Sequence, residues 1–419
     1  MTSDQERALT LATEAGHILL ENGAEISRVE ETMERICAAY GVEDESFFVL
    51  SNGIIATGQH YARAEFIPIK GTQLSRVVEV NQLSRDVRSG RCPLDEVERR
   101  LHAIRTARGK PWWELVLGIA LGVASFSILF GGSLVDAAAT FAAGLPLGLF
   151  MAFVGPHLSR IMGNLLGGMV GGLMCIAAYH LAPATFHLPN MIIGTIIALV
   201  PGVPFTNGMR DLANEDYIAG TTRLTDAFLA FLCIALGVAL ALIVDGWISG
   251  GLMQLGAPMV DPVASAWYIQ IPAAFIGTLG FAALFGTPRR YYLDSGLAGM
   301  AGWAVFLVAS GQWSVVSGQW AVFSVAGAAF MGALTVAVLS HGLARWRHCP
   351  GTVFLICGII PLVPGGGIFW TAYHLVNNHL ALAASTGFTA LKVTIAIAGA
   401  IILVSGIFSK LFKRKRNNG

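Results

Sequence analysis

About ten apolar stretches of the length that a bilayer requires follow one another beyond residue 111. A helix needs about 20 apolar residues to cross the hydrocarbon core, and helices and closed barrels are the structures that satisfy their backbone groups there. The pattern predicts a mostly α-helical polytopic membrane protein. The predicted spans are Trp112–Phe130, Leu134–Val154, Met162–Leu181, Pro189–Val203, Ala227–Trp247, Trp267–Phe285, Leu297–Ala309, Trp320–Leu339, Val353–Val363 and Lys392–Phe408.

The charged residues concentrate in front of these stretches. Residues 1–110 hold 31 of the 53 Asp, Glu, Lys and Arg residues, although 54% of the chain is hydrophobic. Helical periodicity and the hairpin signal Asn52-Gly53 predict a small α+β domain there. Its predicted elements are helices at 8–21, 26–40, 74–89 and 94–106, strands at 47–51 and 54–57, and a third strand near 65–69 that Pro68 confines to an edge.

Loop charges give a topology for the predicted spans. The loops on the side of the polar domain contain arginines, whereas Lys392 is the one Lys or Arg in the opposite loops. Cytosolic loops carry such an excess, and the first residues lack the layout of a signal peptide. We therefore expect a multi-pass protein of a bacterial-type plasma (inner) membrane, surrounded by lipid, with both termini in the cytosol. The arginines are Arg160, Arg210, Arg223, Arg289, Arg290, Arg345 and Arg347, and a basic tail follows at 410–419.

The membrane part contains an internal repeat. Leu199-Val200-Pro201-Gly202 recurs, at an offset of 163 residues, as Leu362-Val363-Pro364-Gly365, and Phe130-Gly131 matches Phe285-Gly286. The repeat predicts two five-helix units, at 111–262 and 263–409. Five is an odd number, so the second unit enters the membrane from the opposite face. Inverted repeats of this kind are typical of transporters that work by alternating access.

The two Pro-Gly pairs are the strongest candidates for a substrate site. Proline removes a backbone N–H and glycine loosens the helix, so the spans are predicted to break at Pro201-Gly202 and Pro364-Gly365. Broken helix ends present partial charges to a polar substrate. The alternative is that both prolines simply end helices at the membrane surface.

Several motifs resemble the threonine/serine exporter family. Glu21-Asn22-Gly23-Ala24-Glu25 and Arg28-Val29-Glu30-Glu31 are similar to its opening domain. Pro201-Gly202-Val203-Pro204, with Arg210-Asp211-Leu212 downstream, resembles the end of its first membrane half, and Leu362-Val363-Pro364-Gly365 resembles its smaller partner module. The resemblance implies proton-driven export of threonine and serine. It also leaves open export of dicarboxylates such as succinate, which is associated with two-chain relatives.

Ionisable and amide side chains near the breaks extend the predicted site. Asn207 and Asp211 follow the first break, Asp226 opens the fifth predicted span, and Lys392 opens the tenth. An amino acid needs an acceptor for its ammonium group and donors for its carboxylate, which an Asp and a Lys supply. The alternatives are that Lys392 extends towards the surface, that Asp211 pairs with Arg210, and that Asn207 caps a loop.

Proton coupling requires a group that titrates near the working pH. Asp226, Asp211 and His374 are the candidates, and His374 occupies the repeat position of Asp211. Gating of the cytosolic mouth is a hypothesis for Glu25, Arg28 and Glu31, against the alternative of an ordinary solvated helix face.

Other functional classes have little support in the sequence. No metal-ligand spacing, P-loop or catalytic motif is present, so neither an enzyme nor a metal or other cofactor is expected. Small polar solutes and protons are the expected partners, and nucleic acid is not. A channel stays an alternative to a carrier. Glycine pairs such as Gly163 with Gly167 are compatible with helix packing within one chain or between two chains.

Overall fold

The computed structural model describes residues 2–58, 61–68, 71–213, 215–251, 255–256, 258–312 and 323–417, with side chains up to residue 408 except that of Ala213. The start of the eighth predicted span, at Trp320, and the side chains of the basic tail lie outside this description. Sixteen helices in the described ranges account for most of the chain, so the prediction of a mostly helical protein is confirmed.

The polar front part folds around an apolar core of its own. A three-stranded antiparallel sheet in the order β1-β2-β3 packs with four helices. The third strand lies before the predicted position because Tyr61 pairs with Gly58 at the end of β2 and Phe66 with Gly53 at its start, which leaves Pro68 beyond the strand. The elements are α1 (Ser3–Glu21), α2 (Ile26–Ala39), β1 (Ser46–Leu50), β2 (Gly53–Gly58), β3 (Tyr61–Phe66), α3 (Leu74–Arg88) and α4 (Leu94–Thr106).

Among the described residues beyond 111, eight helices are long and apolar enough to cross a membrane, and two bent helix pairs bring the count to ten if each pair is one span. The predicted number of about ten is therefore confirmed. The helices are α5 (Trp112–Leu129), α6 (Leu134–Leu149), α7 (Arg160–Leu181), α8 (Leu188–Ile196), α9 (Gly202–Ala213), α10 (Tyr217–Ser249), α11 (Trp267–Leu284), α12 (Tyr292–Ala309), α13 (Val325–Arg347), α14 (Thr352–Ile359), α15 (Gly365–Val376) and α16 (Leu380–Asn417).

Several of these helices extend beyond the apolar stretches that predicted them. α10 begins at Tyr217 and α16 at Leu380, so Asp226 and Lys392 lie inside helices rather than at their starts. The statement that these two residues open their spans is wrong for this reason. Hydropathy marks where a helix becomes apolar, whereas the hydrogen-bonded helix continues through polar residues outside the apolar segment.

Glycines bring α5 and α11 into close contact. A Cβ on Gly280 would lie 2.4 Å from the carbonyl oxygen of Gly118, and Gly122 faces Gly277. The contacts run in opposite order along the two helices, since Gly118 also meets Ala283. α5 and α11, the first helices of the two predicted repeat units, are therefore antiparallel. Small residues allow such an approach, which polar and van der Waals contacts stabilise in lipid.

We expect Gly280→Ala to destabilise the membrane part by about 1–3 kcal/mol, because the new methyl group overlaps backbone atoms of α5. Thermal unfolding of the detergent-solubilised protein measures the change. Gly163→Ala is the matched control, since a Cβ at that helical position has nothing within 4 Å. Equal unfolding temperatures for the two variants would contradict the close crossing.

Candidate functional site

The two Pro-Gly pairs interrupt their spans as predicted. α8, with its terminal turn Ile197–Leu199, meets α9 at an angle of 62°, and α14 meets α15 at 53°. Each break contains the same short turn: the Gly202 N–H donates to the Val200 carbonyl at 2.8 Å, and the Gly365 N–H donates to the Val363 carbonyl at 2.7 Å. The residues preceding both prolines are buried, so the breaks lie inside the packed helices.

The two breaks pack against each other. A Cβ on Gly202 would lie 2.6 Å from the Ile360 side chain, and one on Gly365 would lie 2.7 Å from the Ile197 side chain. Ile360 and Gly365 are the repeat equivalents of Ile197 and Gly202, so the contact is reciprocal. The structure thus brings Pro201, Gly202 and their second-half counterparts to one place, and a Cβ at either glycine would require the facing isoleucine side chain to shift.

Buried polar atoms without hydrogen-bond partners follow each break. They include Oδ1 of Asn207 and of Asp211 on α9, and Nε1 of Trp370 and Nδ1 of His374 on α15. These are equivalent positions, since 163 residues separate Asn207 from Trp370 and Asp211 from His374. Buried polar atoms are nearly always paired, so unpaired ones at matching positions indicate surfaces that accept another partner. His374 stacks on Trp370 with ring centroids 5.5 Å apart.

The polar domain docks on the first of these surfaces through the loop between α1 and α2. The Asn207 side chain donates to the Gly23 carbonyl at 2.8 Å, and Arg210 pairs with Glu25 at 2.7 Å. Arg223 of α10 is 3% exposed, pairs with Asp211 at 2.6 Å, and donates to the Ala24 carbonyl. We call the four residues Asn207, Arg210, Asp211 and Arg223, together with loop 23–25, the latch. The alternative that Asp211 pairs with Arg210 is wrong, because Asp211 pairs with Arg223 and Arg210 pairs with Glu25.

The local sequence explains the shape of this loop. The Asn22 side chain caps α1 by donating to the Ile18 carbonyl, and Gly23 adopts a φ of +82°, which glycine tolerates best. The chain therefore turns sharply and presents the carbonyls of Gly23 and Ala24 to the membrane helices. The first predicted helix ends at residue 21, directly before this loop, and the contact of the loop with α9 was not foreseen from the sequence.

A second contact joins the polar domain to the other half of the membrane part. The first N–H groups of α3, at Leu74 and Ser75, donate to the carbonyls of Phe285 and Gly286 at 2.9 and 3.0 Å. Arg85 donates to the His348 carbonyl at 2.6 Å. The polar domain therefore contacts both halves, and a relative movement of the halves on this side must alter one of the two contacts.

The remaining predicted residues are not brought to the breaks. Asp226 forms a half-exposed pair with Arg160 at 3.3 Å, and Lys392 is exposed on α16. Of the gating candidates, Glu25 belongs to the latch, whereas Glu31 pairs with Arg35 on the domain surface. Arg28 is partly buried beneath the latch. In this structure neither Asp226 nor Lys392 therefore shares a site with Asp211, and the exposure of Lys392 agrees with the alternative that it extends towards the surface.

Two histidine–carboxylate pairs that the sequence reasoning missed lie at the end of the membrane part opposite the latch. His180 contacts Asp245 at 2.7 Å, and His187 contacts the fully buried Asp136 at 2.9 Å. Asp245 lies within the fifth predicted span, so a carboxylate inside an apolar stretch was the available signal. The pairing itself depends on helix contacts that sequence spacing does not show.

We expect Arg223→Gln to lower the stability of the folded protein by about 3–5 kcal/mol, because it leaves the buried Asp211 carboxylate without its cation. Thermal unfolding in detergent measures the loss. Arg160→Gln is the matched control and should cost no more than about 1 kcal/mol, since its pair with Asp226 is exposed. Similar losses in both variants would contradict the buried latch.

The chain is similar in sequence to several known membrane proteins. The chain is 24% identical to the threonine/serine exporter of Corynebacterium glutamicum, over 95% of this chain and 81% of that protein. It is 26% identical to the probable succinate transporter subunit YjjP of Escherichia coli (strain K12), over 59% of this chain and 100% of that subunit. Pheromone-regulated membrane protein 10 of Yarrowia lipolytica is 21% identical over 83% of this chain and 29% of that protein.

No solved structure matches the chain. At the level of families, the threonine/serine exporter family matches residues 10–244, and a second threonine/serine exporter model matches residues 270–407. The first match spans the polar domain, the latch and the first break, and the second spans the other half. The first two of these relatives are named as an exporter and a transporter subunit, which are transport proteins rather than enzymes. The chain therefore belongs to the threonine/serine exporter family.

Proposed function

We propose that this protein exports small polar metabolites, namely threonine- and serine-type amino acids, across a bacterial inner membrane. The observation that carries the proposal is the reciprocal packing of two broken spans, at Pro201-Gly202 and Pro364-Gly365. Broken helices supply a polar substrate with partial charges from exposed backbone groups, at little cost in buried full charges. The family and the relative from Corynebacterium glutamicum support the substrate class.

Alternating access is the proposed mechanism. The two five-helix halves are proposed to be inverted repeats, which the antiparallel contact of α5 with α11 and the reciprocal contacts of the breaks support. When two similar halves exchange conformations, a site between them opens first to one side and then to the other. A channel would need no such exchange, so saturable counterflow distinguishes the carrier from it.

The latch is the proposed cytosolic gate. Loop 23–25 covers the α9 surface on which Asn207 and Asp211 carry unpaired oxygens. Both termini are proposed to be cytosolic, which puts the polar domain on the side where export begins. Release of the loop would uncover these oxygens, and Asp211 offers an acceptor for a substrate ammonium group.

Asp211 is the proposed proton carrier among the three candidates. Its Oδ2 pairs with Arg223 while its Oδ1 is buried and unpaired, so a proton has a place to bind. Protonation removes the negative charge that holds Arg223, and Arg223 also holds the loop through the Ala24 carbonyl. Proton binding would thereby loosen the latch. Asp226 is half-exposed and His374 is on the other half, so neither acts on this contact directly.

Dicarboxylate export is the second candidate function. The relative named as a probable succinate transporter subunit is 26% identical over 59% of this chain. A dicarboxylate requires two cationic or donor groups. Around the breaks the described residues offer uncharged backbone and aromatic groups, and the cations of the latch are already paired, which favours the amino acid.

Counterflow in proteoliposomes tests the transport proposal. Vesicles loaded with unlabelled threonine should accumulate labelled threonine, serine should compete, and succinate should not. Pro201→Ala with Pro364→Ala should reduce the rate by about tenfold or more, since straightening the spans removes the proposed site and raises the barrier by at least about 1.4 kcal/mol.

Pro272→Ala is the control for that experiment, because Pro272 lies inside α11, a helix that is not one of the bent pairs. Accumulation of succinate but not of threonine would show that the substrates are dicarboxylates and not amino acids. A flux that rises linearly with substrate concentration and does not saturate would show that the protein is a channel and not a carrier.

Asp211→Asn should remove the pH dependence of transport, because asparagine mimics the protonated carboxyl group at every pH. In wild-type vesicles an imposed pH gradient should accelerate threonine flux, and an uncoupler should abolish the acceleration. Asp226→Asn is the matched substitution on an exposed pair and should retain the response. Loss of the response in Asp226→Asn alone would transfer the role to Asp226.

A further inference from the structure

A basic cavity lies between the polar domain and the membrane helices. It has a volume of about 440 Å³, and its walls come from α2 and α3 on one side and from α9, α13 and the start of α14 on the other. No Asp or Glu is among its lining residues. Six arginines line it: Arg28, Arg35, Arg85, Arg88, Arg210 and Arg345.

Carboxylates neutralise this cavity only in part. Arg35 pairs with Glu31, and Arg210 pairs with Glu25 of the latch. Arg85 instead donates to uncharged acceptors, namely the side chains of Asn81 and Gln82 and the His348 carbonyl. Burial lowers the pKa of Arg85, and the nearby Arg35 lowers it further, so an anion placed here would offset an existing electrostatic cost.

Unpartnered donors face the same space. The Ser340 hydroxyl on α13 and the Thr352 hydroxyl at the start of α14 belong to residues that are 0% and 6% exposed, and neither has a hydrogen-bond partner. Nε of Arg28 is likewise buried without a partner. Such orphaned groups are costly unless a ligand satisfies them. Thr352 also begins a helix, whose N-terminal end attracts negative charge.

We propose that this cavity binds a phosphate group, carried either by a free cytosolic metabolite or by a phospholipid headgroup. Guanidinium forks, hydroxyls and a helix N-terminus approach the cavity from several directions, which suits the tetrahedral oxygens of phosphate. The volume exceeds that of one phosphate ion, so space remains for the group that carries it.

Binding at this position links the polar domain to both membrane halves. Arg28 and Arg85 belong to the polar domain, Arg210 to α9 of the first half, and Ser340 and Thr352 to the second half. A bound phosphate therefore stabilises the docked domain and holds the proposed cytosolic gate closed. This regulatory consequence rests on the proposed function, whereas phosphate binding itself does not.

Thermal unfolding of the full-length protein in a neutral detergent tests the proposal without any transport measurement. Inorganic phosphate should raise the unfolding temperature saturably, beyond the effect of chloride at equal ionic strength. Arg28→Gln and Ser340→Ala should each weaken the apparent affinity, the arginine variant by about tenfold or more, since it loses a hydrogen bond between two charged groups. Arg99→Gln, an exposed arginine outside the cavity, is the matched control.

A second experiment identifies whether the phosphate belongs to a lipid headgroup or to a free metabolite. The protein is purified with phosphatidylglycerol or with phosphatidylcholine, and retained lipid is measured by native mass spectrometry. Retention of phosphatidylglycerol that Ser340→Ala abolishes assigns the headgroup, and absence of retention together with saturable inorganic phosphate binding assigns a free metabolite. The proposal is overturned if neither binds, if Arg99→Gln weakens binding as much as Arg28→Gln, or if succinate binds saturably and phosphate does not.

Discussion

This structure depends on one constraint: where two membrane spans are broken, the backbone N–H and C=O groups need hydrogen-bond partners. In hydrocarbon an unpaired N–H or C=O costs several kcal/mol, so an interrupted helix must be enclosed by protein. Each Pro-Gly pair forms a tight local hydrogen bond and rests against the helix that precedes the other break. Neither break would be tolerated on a lipid-facing surface, and their mutual packing makes the two halves structurally dependent on each other.

The latch extends that dependence to the polar domain. A buried ion pair such as Arg223 with Asp211 contributes little net stability when it is intact, because both groups lose their hydration. Breaking it by removing one charge is costly, which is why the pair is proposed to act as a switch. The loop carbonyls of Gly23 and Ala24 add neutral hydrogen bonds to that charged pair. In the proposed mechanism, occupancy of the α9 surface by the loop would be coupled to the protonation of the Asp211 carboxyl group.

The basic cavity lies directly beside this switch and shares Arg210 with it. An anion held there would draw the domain and the membrane helices together, because it would attract arginines from both. Proton binding and phosphate binding would then act on the latch in opposite directions, the first loosening it and the second reinforcing the docked arrangement. In this proposal both the proton and the phosphate act by changing the charge at the interface between the polar domain and the membrane helices.

Much of the fold was predictable from sequence. Apolar length identified nearly all the spanning helices among the described residues, and the paired Pro-Gly motifs identified both bends, because hydropathy and backbone chemistry are local properties. The partners of individual side chains depended on the tertiary structure. Asp211 and Arg210 are neighbours in sequence, yet they pair with Arg223 and Glu25, 12 and 185 residues away. The arginines of the cavity come from separate elements, and only the docking of the domain brings their charges together.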